Sequence, residues 1–161
     1  MADIPDRTES LAMRADRNWT ELTQELRVSQ TGVQILTAFL LMLPFQQRFA
    51  EINDGQRGLY LVLVSLSIVT TILMVAPVSL HRFLFQRGRK VRMVQIANRI
   101  TTIALVFLGL TITGTVAFVF SVVVGPSAVW IATGATALSL AMLWLLLPWR
   151  ARTTLDPYAE G

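Results

Sequence analysis

The chain has no cysteine, one histidine and few charges, and each shortage closes off some chemistry. Without cysteine there is no disulfide, no thiolate metal site and no cysteine nucleophile. His81 alone cannot build a multi-histidine metal site within one chain. Charged residues make up 15% of the 161, against about 25% in an ordinary soluble domain. A Gly-rich phosphate loop, a paired-histidine metalloprotease motif and a nucleophile elbow are all missing. No acid or base falls in the centre of an apolar run. Compact four-span exporters that run on protons need a membrane-embedded carboxylate, so that mechanism has no residue to carry it. The expectation is a non-enzyme with no cofactor, no metal and no catalytic residue.

What the chain has is four long apolar runs, Thr31–Pro44, Leu59–Val78, Ile100–Val124 and Ser127–Leu147. A helix needs about 20 apolar residues to cross roughly 30 Å of hydrocarbon. Three runs are that long, and the first becomes so when Phe45 and Phe49, or the apolar face before it, are included. The expected fold is all-α: a polytopic membrane protein with four transmembrane helices in an antiparallel bundle, preceded by a short amphipathic helix. The boundaries read as a disordered tail over 1–17, the amphipathic helix over 18–30, spans over 31–49, 58–80, 99–124 and 126–148, and a second tail over 150–161. Met1–Gln30 has no apolar core of signal-peptide type, so the first span is expected to be the targeting element.

Charge sets the expected orientation. The segment His81–Arg99 carries Arg82, Arg87, Arg89, Lys90, Arg92 and Arg99 with no acid. Arg7, Arg14, Arg17 and Arg27 precede the first run, and Arg150 and Arg152 follow the last. Only Arg48 and Arg57 lie on the other side, against Glu51 and Asp54. Positive residues are retained inside, so both termini and the middle loop are expected to be cytoplasmic at a bacterial inner membrane. The net charge of +4 then serves topology and anionic headgroups, and nucleic acid is not an expected partner.

Punctuation places the connections. Pro44, followed by Gln46, Gln47 and Arg48, reads as the exit of span one. Asn53-Asp54-Gly55 is a turn from which the second helix restarts. Ala76-Pro77-Val78 reads as the end of span two. Val124-Gly125-Pro126-Ser127 allows only a tight hairpin between spans three and four. Trp130 and Trp149 lie at the depths where tryptophan is favoured.

Several residues are candidates for contacts with a partner or with lipid. Asn18 with Glu21 makes an N-cap pattern, and Trp19, Leu22, Leu26 and Val33 then share one helical face. That helix is free to lie on the membrane surface, extend span one or dock on a protein, and its acidic polar face favours protein. Gln34 has an amide inside a span, which calls for an interhelical hydrogen bond or else a substrate contact. Ser and Thr in the spans can bond their own backbone. The basic group Arg82, Arg87, Arg89, Lys90 and Arg92 fits topology, anionic lipid or a docking surface. Ala128, Ala132, Thr136 and Leu140 form one small-residue row, and Ala135 with Ser139 another. Such rows let helices approach closely, either within the hairpin or from another chain.

The stretch Glu25-Leu26-Arg27-Val28-Ser29-Gln30-Thr31-Gly32-Val33-Gln34-Ile35-Leu36, with Ala38-Phe39-Leu40-Leu41, Leu43-Pro44-Phe45 and Arg48-Phe49, resembles an uncharacterised family of small four-span actinobacterial membrane proteins. His81-Arg82 and Asn98-Arg99 share the resemblance, which covers most of the chain from Trp19 onward. It implies a four-span membrane fold and no agreed activity, so no functional residue carries over. The leading expectation is a non-catalytic accessory or scaffold subunit of a larger inner-membrane complex, for example an envelope lipid transporter. The alternatives are a small homo-oligomeric transporter or channel, an accessory subunit of a respiratory supercomplex, and a lipid-binding envelope protein.

Overall fold

A computed structural model of the chain describes residues 11–84 and 90–154. Among these, every element is helical: α1 (Leu11–Met42), two 3₁₀ turns (Leu43–Phe45 and Gln47–Glu51), α2 (Asp54–Leu84), α3 (Lys90–Val123) and α4 (Pro126–Ala141). A π-helical stretch, Met142–Leu146, joins α4 to α5 (Leu147–Thr154). Four stretches are long and apolar enough to cross a membrane: Thr23–Phe45, Asp54–Leu80, Val94–Val123 and Ser127–Arg150. The protein is a multi-pass, all-α membrane protein.

Helix α1 starts at Leu11, inside the segment expected to be a disordered tail, and runs unbroken into the first span. Ala12, Met13, Arg14, Ala15 and Arg17 are good helix formers. Between Leu11 and Pro44 no proline interrupts the chain, and Gly32 is the one glycine. Residues 18–30 therefore extend span one, one of the arrangements the sequence left open. Pro44 ends the helix as expected, and the chain turns through short 3₁₀ segments.

Helix α2 opens on a reciprocal cap. The Asn53 Oδ1 accepts the Gln56 N–H at 2.9 Å, and the Gln56 Oε1 accepts the Asn53 N–H at 3.0 Å. Two of the donors that every helix start leaves unpaired are satisfied in this way. Pro77 lies inside this helix, which continues to Leu84. Unwinding there would strand several backbone groups in hydrocarbon, whereas an intrahelical proline strands essentially one.

The α3–α4 hairpin turns on Gly125, whose φ of 114° favours glycine. The Phe120 carbonyl accepts both the Val124 and Gly125 N–H groups, and Pro126 starts the next helix. Downstream, Pro148 has no N–H and its ring crowds the Trp144 carbonyl. The π turn relieves that crowding: the Leu147 N–H reaches back five residues to the Met142 carbonyl.

The described residues pack as two compact units, one within Met1–Phe39 and Ser67–Phe107, the other within Leu40–Leu66 and Leu108–Gly161. In the first, Leu26 and Val33 of α1, Ser67, Thr70, Met74 and Pro77 of α2, and Ala97, Thr101 and Ala104 of α3 are buried. In the second, Leu40, Ile52, Tyr60, Leu63, Thr111, Thr115 and Phe118 are buried. The buried positions recur mostly at three- and four-residue steps along α2 and α3 and at seven-residue steps along α1, a narrow seam of period 3.5. Many are small. Hydrocarbon provides no hydrophobic drive between helices, so close backbone approach supplies the packing energy instead.

Candidate functional site

At two places in this fold a polar side chain from one helix reaches a carbonyl near the end of another helix, where helical donors run out. Pro44 has no N–H to give the Leu40 carbonyl, and the Tyr60 hydroxyl donates to that carbonyl at 3.1 Å. Tyr60 is buried, with Phe49 edge-on at 4.9 Å and Phe118 tilted at 6.0 Å. Beside the gap that Pro77 makes in α2, the Gln30 Nε2 donates to the Met74 carbonyl at 3.0 Å. At the end of α3, where carbonyls run out of helical donors, the Gln56 Nε2 donates to the Ser121 carbonyl at 3.0 Å and to its Oγ at 3.3 Å. Water cannot do this work in hydrocarbon.

Gln34 does not make the interhelical bond expected of it. It is exposed and has no hydrogen-bond partner among the described residues. The bond belongs to Gln30, one turn earlier. The reason is angular: Gln30 shares the stripe of Leu26 and Val33, whereas Gln34 is rotated about 100° beyond Val33. Gln30→Leu is expected to destabilise the monomer by about 1 kcal/mol, and Gln34→Leu to leave it unchanged. Denaturant or steric-trap unfolding in bicelles would measure both.

The remaining span hydroxyls mostly close on their own helices. Thr31 bonds the Arg27 carbonyl, Thr71 that of Ser67, Thr101 that of Ala97, Thr115 that of Thr111, Thr136 that of Ala132 and Ser139 that of Ala135. Thr37 Oγ1 and Thr133 Oγ1 are buried without a partner. Among the described residues, no group of three His, Asp or Glu side chains could hold a metal.

The two small-residue rows of α4 part company. Ala128, Ala132, Thr136 and Leu140 are half-buried, and Leu140 and Trp144 lie against Gly109 of α3. Ala135 and Ser139, with Gly134, are exposed. Leu140 thus packs against α3 of the same chain, and the second row faces outward. Leu26 is buried. The side chains of Trp19, Leu22, Arg82, Lys90 and Arg92, and the whole of Arg87 and Arg89, lie outside the described residues.

Tyr60, Gln56 and Gln30 are the polar residues that sequence reasoning passed over. Each had a signal: a proline four residues beyond Leu40, an Asn-x-x-Gln cap at Asn53, and the 26/30/33 stripe.

Fold and contacts together define a multi-pass helical membrane protein whose bridging polar groups hold helices together. The chain belongs to a family of unknown function, DUF6328, whose model matches residues 8–148. No curated protein and no solved structure matches it.

Proposed function

We propose that this protein is a non-catalytic accessory or scaffold subunit, bound laterally to a larger integral complex of a bacterial inner membrane. Both termini and the basic segment 81–99 face the cytoplasm in this reading, where arginines meet anionic headgroups. The observation that carries it is the fourth span. None of its most apolar window is buried, yet Gly134, Ala135 and Ser139 put small residues on its outward side. Small residues on a lipid-facing helix let another helix approach closely. An envelope lipid transporter is the kind of complex in view, with a respiratory supercomplex as the alternative host. A channel draws less support, because the hydroxyls that would line it are mostly bonded to their own helices.

Purification of the tagged chain in mild detergent tests the proposal. A larger membrane protein is expected to co-purify in fixed stoichiometry, and Ala135→Leu is expected to cut its recovery several-fold with expression unchanged. Recovery of the chain without any other membrane protein would overturn it.

A further inference from the structure

The outward face of α1 has a feature that lipid contact does not explain. Thr31, Gln34, Ala38 and Leu41 follow one another at three- and four-residue steps, and all four are exposed. This is a second seam of period 3.5 on a helix whose first seam, Leu26, Val33 and Leu40, is already buried. Gln34 lies at the middle of the span Thr23–Phe45. Its amide carries two donors and an acceptor, none of which is used among the described residues. An unpaired amide in hydrocarbon is costly, and apolar area gives no association energy there, so the amide decides what covers this face.

We propose that two copies of this chain pair side by side through this seam, with Gln34 of each copy hydrogen-bonding Gln34 of the other. Three observations select a second copy. All copies of one chain insert in the same orientation, so their first helices run parallel and a two-fold axis brings equivalent seam positions face to face. A primary amide is its own complement, because the donor of one fits the acceptor of the other. The neighbours one turn away are small: Ala38, and Thr31, whose hydroxyl is already bonded to the Arg27 carbonyl. The two backbones can therefore come close enough for the amides to meet. Arg27 continues the face and sets like charges opposite one another, which confines contact to the stretch Thr31–Leu41. A single polar residue in an apolar seam fixes register in the same way in soluble coiled coils. This pairing does not depend on the accessory-subunit reading, since α4 plays no part in it.

The absence of cysteine makes the test clean. The full chain alone is reconstituted in vesicles of phosphatidylcholine and phosphatidylglycerol, as single substitutions Ala38→Cys, Leu41→Cys, Phe39→Cys and Leu138→Cys. Oxidation should cross-link the two seam positions and neither control; Phe39 and Leu138 are exposed but lie off the seam. Energy transfer between labelled copies should show dimers whose association constant falls about tenfold with Gln34→Leu. Cross-linking no stronger at Ala38 and Leu41 than at the controls would overturn the proposal. So would an association constant that Gln34→Leu leaves unchanged. Because no other protein is present, neither result bears on whether a larger complex is bound elsewhere.

Discussion

Replacing Tyr60 with alanine should cost about 3–5 kcal/mol of stability. The side chain is 6% exposed, so its removal leaves a cavity between Phe49 and Phe118 that the helices cannot fill without moving. It also withdraws the hydroxyl from the Leu40 carbonyl, which Pro44 deprives of its own amide. Tyr60→Phe separates the two contributions. It keeps the ring contacts and loses only the hydrogen bond, and should cost about 1–2 kcal/mol. Unfolding in bicelles would rank the variants, with Phe between wild type and Ala. Equal losses for both would mean that the hydroxyl, not the ring, dominates. No loss for Phe would mean that the Leu40 carbonyl needs no donor.

The second large effect is expected at Gly114. A Cβ added there would lie 2.5 Å from the Leu63 Cδ2, and Leu63 is itself 2% exposed. The leucine has little room to swing away, so α2 and α3 would have to separate at this level. Overpacking of this kind costs about 1–3 kcal/mol for alanine, and Gly114→Val should exceed that range. Helical preference alone would favour alanine over glycine by about 1 kcal/mol, so a net loss is a clear sign that close approach wins. Leu63→Ala in the Gly114→Ala background should recover part of the stability, because the methyl groups in conflict are gone. Two losses that simply add would show that the residues do not meet.

Hydrophobic length was enough to read four spans from the sequence, since four apolar runs in so short a chain leave too little polar chain to bury them in a soluble core. Pro44, Asn53 and the Gly125-Pro126 pair marked their connections for equally local reasons: a missing donor, a capping side chain and a positive φ. Pro77 does not end its helix, because a proline signal has two outcomes in hydrocarbon, and the cost of stranded backbone favours continuing the helix. Gln34 misled for a geometric reason. Composition identifies a polar residue in a span, but only its angle relative to Leu26 and Val33 decides whether it turns inward. The outward row on α4 was visible as a spacing, but which of the two rows would be covered depended on where Gly109 meets Leu140 and Trp144.

The unbroken course of α1 has a mechanical consequence. Its 32 residues make a rod about 48 Å long, some 18 Å more than the hydrocarbon is thick. With no hinge between the overhang and the embedded part, the two must lean together. A change of about 10° in the lean would sweep the far tip sideways by roughly 3 Å. Whatever grips that tip would feel bilayer thickness as a displacement, with the overhang serving as a lever arm.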